Sequence, residues 1–326
     1  MFVAKTSIDW FSMAASADGK KLAAIQFVNG GFRDNCYIWS SSNSGVSWGR
    51  TNIASNEQYS CLAITSSADG TKLAVTMYKM GVYTSNNSGT SWTNVLKGDY
   101  STTIASSADG SKLAFAVTPG NLYTSNNSGT SWTLQSSAGY QDEWTGISMS
   151  SDGSKIAAAT NKLIYTSSDF GVSWALQTSG LPASNASTKW TSIASSTDGI
   201  RLAVADASSQ GLVYISTNSG ASWNHSVSFS NSGCLCPTCR STIRMSGDGS
   251  RIAVTGQNGF YLSSNGGASW AKVTSDVLPT NDNCNAYASY WSAVALSADG
   301  TKIAAAYKLY SIYISSDSGI SWATGY

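Results

Sequence analysis

Residues 61–92 read Cys61-Leu62-Ala63-Ile64-Thr65-Ser66-Ser67-Ala68-Asp69-Gly70-Thr71-Lys72-Leu73-Ala74-Val75-Thr76-Met77, then Tyr78-Lys79-Met80-Gly81-Val82-Tyr83-Thr84-Ser85-Asn86-Asn87-Ser88-Gly89-Thr90-Ser91-Trp92. Asp69-Gly70 is a tight-turn signal between two short apolar runs, which predicts a hairpin of strands A and B. Val82–Ser85 predicts strand C, the Asn87-Ser88-Gly89 segment turns, and Trp92 opens strand D. Both phrases recur. Asp-Gly-x-Lys/Arg-Leu/Ile-Ala begins at Asp18, Asp69, Asp109, Asp152, Asp198, Asp248 and Asp299. Ser-x-Asp/Asn-x-Gly-x-x-Trp ends at Trp48, Trp92, Trp132, Trp174, Trp223, Trp270 and Trp322. The two alternate without a skip through all 326 residues, about 47 residues per unit, the length of a four-stranded propeller blade rather than a β-helix coil. The reading is all-β: a single domain over residues 1–326, a seven-bladed β-propeller with four antiparallel strands per blade.

Working outward, the composition agrees. Charged residues make up only 11% of the chain and Gly alone contributes 30 residues, which disfavours helical bundles. With 19 basic against 18 acidic residues the chain carries no field for a phosphate backbone, so nucleic acid is not an expected partner. No 18-residue apolar run predicts membrane insertion, and Met1–Thr6 lacks the basic start and apolar core of a signal peptide. That opening reads as a mature secreted chain or a cytoplasmic one, and the Ser, Thr and Asn richness favours an extracellular or cell-surface protein.

The Ser-x-Asp-x-Gly-x-x-Trp phrase resembles the Asp-box, or bacterial neuraminidase repeat, of sialidases, sortilin-like receptors, xyloglucanases and photosystem assembly factors. In that family it forms the hairpin between strands C and D. The resemblance implies that the acid accepts turn amides, Gly takes a positive φ and Trp packs between sheets. Only Asp169 and Asp317 keep the acid; Asn43, Asn87, Asn127, Asn218 and Asn265 replace it and still accept those bonds. A hairpin repeated in every blade is scaffold, so function is sought where repeats differ.

From Asp-Gly turn to Trp, blade 1 spans 30 residues against 22 to 25 elsewhere, an insertion at Val28–Asn35. The connections at 175–189, 224–238 and 271–289 are long. By the family's architecture, B–C loops and blade connections emerge on one face and the Asp-box turns on the other. With blade 7 beside blade 1, these departures build one rim. The candidate ligand site there comprises Arg33, Asp34, Trp190, His225, Arg240, Tyr287, Tyr290 and Trp291, an aromatic and hydrogen-bonding set suited to a glycan or protein ligand. Just before strand A each unit carries a marked residue: Trp10, Tyr59, Tyr100, Trp144, Trp190, Arg240 and Trp291. These are either sugar platforms or wedges between blades, and their recurrence favours wedges.

A sialidase needs an arginine triad and a Tyr/Glu pair, and is six-bladed; a glycosidase needs two facing carboxyl groups, and none is singled out by the sequence. His225 is the only histidine, and no nucleophile elbow accompanies it. The expectation is a binding protein without catalytic residues or cofactor; a secreted glycoside hydrolase and a self-assembling surface protein are the rivals. Cys-x-Cys-x-x-Cys with a distant Cys284 fits zinc poorly, so no metal is expected and disulfides are preferred. Cys36 is expected to pair with Cys61, Cys284 with one of Cys234, Cys236 and Cys239, and the other two locally. Asn86, Asn126, Asn185 and Asn224 open Asn-x-Ser glycosylation acceptors. Blade 7 is expected to take its outer strand from Trp322–Tyr326, with Phe2–Lys5 covering that edge.

Overall fold

The structure, a computed structural model, describes residues 8–28, 36–51, 53, 60–98, 101–139, 141, 143–183, 189–206, 211–229, 241–256, 259–279, 290–308 and 311–325. These form seven four-stranded antiparallel sheets, each built from four consecutive strands. The innermost strands A are Ile8–Ala15, Cys61–Ser66, Ser101–Ser106, Trp144–Met149, Trp190–Ser195, Thr242–Met245 and Trp291–Leu296. They touch one another in succession, and the last touches the first. Ile8–Ala15 opens blade 1 on the inside, and Ala323–Thr324 closes blade 7 on the outside, as expected of that segment. Phe2–Lys5 lies outside the described residues, and among those described no blade borrows a strand from another.

Strand B explains why a blade cannot fold alone. In blade 4, Ile156–Thr160 is buried throughout. Alternate residues point to opposite faces of a strand, so Ile156 and Ala158 join the core shared with blade 3 while Ala157 and Ala159 join that shared with blade 5. The same division recurs around the ring, and the seven apolar clusters fall one to each interface between blades.

The Asp-Gly turns do more than reverse the chain. The residue before each Asp donates its backbone N–H to the same residue of the next blade: Ala17 to Ala68, Ala68 to Ala108, Ala108 to Ser151, Ser151 to Thr197, Thr197 to Gly247, Gly247 to Ala298 and Ala298 to Ala17, at 2.6–2.8 Å. The ring is closed. Around it, each blade's Lys or Arg lays its aliphatic stem over the next blade's turn glycine, Lys21 on Gly70 through Arg251 on Gly300 and Lys302 on Gly19. Each of these glycines holds φ near +64 to +71°, so a side chain there meets both strain and that stem.

Within each turn a buried Ser donates to the Asp, as Ser67 Oγ to Asp69 at 2.6 Å, and accepts the amide of the following Lys. The turns between strands C and D form the hairpins expected of them. Asn87 Oδ1 accepts the Ser91 amide at 2.9 Å, Ser85 Oγ accepts the Gly89 amide at 2.9 Å, and the Trp92 indole donates to Gly89 O at 3.1 Å. Asp169 makes the same bond to the Ser173 amide at 2.9 Å, which is why Asn and Asp interchange here.

Cys36 and Cys61 form the expected disulfide, with Cα atoms 5.8 Å apart. It joins strand C of blade 1 to strand A of blade 2. Cys234, Cys236, Cys239 and Cys284 lie outside the described residues. Replacing both Cys36 and Cys61 by Ser frees a 25-residue separation and is expected to cost about 3 kcal/mol, read from the denaturant midpoint under oxidising conditions.

Hydrogen bonds from Ser67, Ser150 and Ser246 hold the Asp69, Asp152 and Asp248 carboxyl groups at about 2. A carboxyl group depressed in the folded state stabilises fully above its unfolded value, and the stabilisation is lost as pH falls through the folded value. The melting temperature is therefore expected to hold from pH 8 to 5 and to fall between about pH 4 and pH 2. A flat profile across that window would separate these bonds from stability.

Candidate functional site

The seven strands A enclose a channel of about 970 Å³. Backbones joined by one hydrogen bond lie about 5 Å apart, so the seven-membered ring at the Asp-Gly face has a diameter of about 11 Å between backbones. Water passes, but a folded segment does not. The other end opens on the face carrying the B–C loops and blade connections, since strands A begin there.

Hydroxyl groups stitch the wall. Thr191 Oγ1 donates to Ser241 O at 2.9 Å, Thr242 Oγ1 to Ser292 O at 3.3 Å, and Ser192 Oγ accepts the Ile243 amide at 3.2 Å. Each bond crosses from one blade to the next.

Charge sits at the mouth. Asp9, ahead of strand A's main ladder in blade 1, pairs with Lys308 of blade 7 at 3.6 Å, and the Lys308 ammonium lies 5.0 Å over the Tyr290 ring. Glu143 accepts from Asn161 Nδ2 at 2.9 Å, and Asn161 O accepts the Trp190 amide at 3.0 Å. Burial pushes the Asp9 carboxyl up from its ordinary value, with Lys308 opposing. Deeper in, Arg244 lines the channel from strand A of blade 6. Protein surrounds it while channel solvent still touches it, and burial pushes its guanidinium down from its ordinary value.

The structure divides the rim set anticipated from sequence. Tyr290 stands at the mouth. Trp190 and Trp291 are 1% and 6% exposed and sit in interblade cores, Trp190 edge-on to Tyr214 and Trp291 against Phe260, so neither offers a face for stacking. Trp10 and Trp144 are likewise buried. His225 lies on the outer strand D of blade 5, exposed, with Nε2 3.0 Å from Ser228 Oγ and its ring against Tyr214. That is the outer rim, away from the channel. Arg33, Asp34, Arg240 and Tyr287 lie outside the described residues.

The register also corrects the sequence alignment of the pre-strand position. Trp144 opposes Thr160, Trp190 opposes Asp206 and Trp291 opposes Tyr307, each followed by a bulge. Cys61 opposes Met77 before the same bulge, and Ser101 holds that place in blade 3. Cys61 and Ser101, rather than Tyr59 and Tyr100, are therefore the equivalents of the tryptophans.

Sequence reasoning did not reach Asp9, Glu143, Asn161, Lys189, Lys308 or Arg244 as a group. Arg244 had a signal: two residues before the buried Ser of the turn, the other blades carry Ala14, Thr65, Ala105, Ser148, Ala194 and Ala295. Asn86, Asn126 and Asn224 are exposed, and Asn185 lies outside the described residues. Among the described residues no cluster of His, Cys, Asp and Glu could hold a metal ion, and no helix is long and apolar enough to cross a membrane.

Fold and channel together define a seven-bladed β-propeller with one polar mouth. The chain belongs to the family of the DUF6242 beta propeller domain, whose model matches residues 78–303. Among solved structures it resembles YCF48 bound to D1 peptide, with TM-score 0.64 and 13% identity over 95% of this chain and 93% of that one. YCF48 from Cyanidioschyzon merolae gives 0.62 and 12%, covering 95% of each. An ancestral GH74 enzyme gives 0.66 and 16%, covering 99% of this chain but 47% of the enzyme, so the chain spans just under half of that protein. At such identities the likeness is one of fold. No curated protein matches the sequence.

Replacing Lys308 by Met leaves Asp9 buried without its cation. The Asp9 carboxyl is then expected to titrate higher still, followed by carboxyl-carbon NMR. Because a raised carboxyl pKa disfavours the folded state once ionised, the variant should lose about 1 kcal/mol as pH rises through that value, solvent at the mouth screening the charge. Adding Asp9→Asn should restore part of the loss.

Proposed function

We propose that this chain is a non-catalytic, extracellular binding propeller that takes a polypeptide segment at the channel mouth. The observation that carries this reading is the mouth itself: Asp9 with Lys308 and Glu143 with Asn161 stand at the entrance of a channel of about 970 Å³ whose other end is ringed by the seven Asp-Gly turns. Fixed groups recognise without paying to be ordered. Of the two carboxyl groups lining the channel among the described residues, Asp9 pairs with Lys308 through Oδ2 and Glu143 accepts from Asn161. An acid and base poised for glycoside hydrolysis need room for a water or a sugar between them instead.

Polypeptide is favoured over glycan because Trp190 and Trp291 are buried and one face of Tyr290 is covered by Lys308. Sugar binding needs open aromatic faces. The YCF48 protein of similar fold is bound to D1 peptide, which supports a ligand of this class. Arg33, Asp34, Arg240 and Tyr287 would complete the rim from the flanking loops, and His225 would mark its outer limit. The Cys36–Cys61 disulfide supports an oxidising, extracellular setting, in which Asn86, Asn126, Asn185 and Asn224 would be open to glycosylation.

The test is a library of synthetic hexapeptides screened against the whole chain, beside a glycan array and a turnover assay on xyloglucan. Retention of peptides, weakened at least about tenfold by Lys308→Glu, is the expected result. Glycan retention without peptide retention, or turnover, would replace this reading.

A further inference from the structure

Arg244 is a charged side chain where six other blades place Ala, Ser or Thr. Its one hydrogen bond among the described residues runs from a guanidinium nitrogen to Ile243 O at 2.9 Å, and no described carboxylate pairs with it. A guanidinium has five N–H donors and stays protonated in any protein setting. A positive charge surrounded by protein is costly until an anion or solvent answers it. At the same level of the wall, two blades away, the Ser148 hydroxyl oxygen is buried and has no hydrogen-bond partner among the described residues.

We propose that Arg244 anchors a carboxylate-binding site deep in the channel, and that the carboxylate is the C-terminus of the polypeptide segment. The inference rests on the reading of the mouth as a peptide site and extends it. Charge selects the group. One guanidinium neutralises a monoanion, whereas a phosphate dianion would carry uncompensated charge into a wall with no other described cation at that depth. The planar fork of Arg also matches two carboxylate oxygens.

Depth selects the source. Asp9 and Glu143 at the mouth lie five strand positions from the level of Arg244, about 15 Å along the strand. A Glu side chain on a segment lying across the mouth is far too short to span that distance. A chain end is not: four or five extended residues cover it at about 3.3–3.6 Å each. Two strands side by side need about 5 Å between backbones plus side chains on both, which a ring about 11 Å across between its own backbones denies to a loop threaded from above. A single chain led by its carboxylate fits.

The fold tolerates the control variant, since Arg244→Ala installs the residue that blades 1, 3, 5 and 7 carry in Ala14, Ala105, Ala194 and Ala295. Acetate is titrated into the full chain at constant ionic strength while the Arg244 Nε–H resonance and the melting temperature are followed. A saturable resonance shift and a melting increase that Arg244→Ala abolishes are expected. N-acetylated hexapeptides are then compared as free acids and as C-terminal amides. Wild type should retain the acids at least about tenfold better, and Arg244→Ala should not discriminate. No response to acetate overturns the anion site. Equal retention of acids and amides overturns the C-terminal assignment while leaving the peptide reading intact, as does selection of amides bearing internal Asp or Glu. Retention of neither overturns the peptide reading, and a uronate glycan captured through Arg244 would name a different source of the same group.

Discussion

Seven backbone hydrogen bonds, from Ala17 round to Ala298 and back to Ala17, are the constraint on which the molecule turns. Each blade shares both faces of its strand B with its neighbours, so none possesses a core of its own. Closure is then what makes the last interface, between blades 7 and 1, as good as the other six. The clusters around Trp10, Leu22, Ala304 and Ile312 fill that seam with the same alternation found elsewhere. With no strand exchanged among the described residues, the seam is held by side-chain packing, by the Ala298 to Ala17 bond and by the Lys302 stem over Gly19.

The ring also explains why the Asp-Gly-x-Lys phrase varies so little. Asp is needed to accept the amide two residues on and the hydroxyl of a buried Ser; Gly is needed because φ is positive and a neighbour's stem lies against it. Lys or Arg is needed for an apolar stem of three or four methylenes that ends in a solvated charge. Leu or Ile then begins the buried strand. Each position answers to a neighbouring blade, so one motif repeated seven times is a set of seven mutual restraints rather than seven independent turns.

Blade number, strand order and the Cys36–Cys61 bridge were legible in the sequence because all three follow from the repeat. Where matching relied on nearness in sequence, it slipped. Tyr59 and Tyr100 look like counterparts of Trp144 until the bulge after that position is seen, which hands the place to Cys61 and Ser101. His225 lies on a strand although 224–238 reads from sequence as a connection, because strand D of blade 5 begins with the polar pair Asn224-His225. The Asp9–Lys308 pair joins the two ends of the chain and carries no local signal at all.

Why the scaffold allows individuality in the channel follows from the same geometry. A larger side chain on strand B or C would enter an interblade core and would have to be matched by loss of volume on the facing blade. On strand A a side chain can also border the lumen, as Arg244 does. Arg244 stands there where the other blades carry Ala, Ser or Thr, while Ile243 beside it stays fully buried in the core shared with blade 5. Positions two residues before the turn serine range from Ala to Arg244, although Ala105, Ala194 and Ala295 among them also pack in interblade cores, whereas the position next to them, Met13, Ile64, Ile104, Ile147, Ile193, Ile243 or Val294, is apolar in every blade. The channel wall is thus a surface where one blade can carry a charge, as blade 6 does in Arg244, while the apolar position beside it keeps the interface.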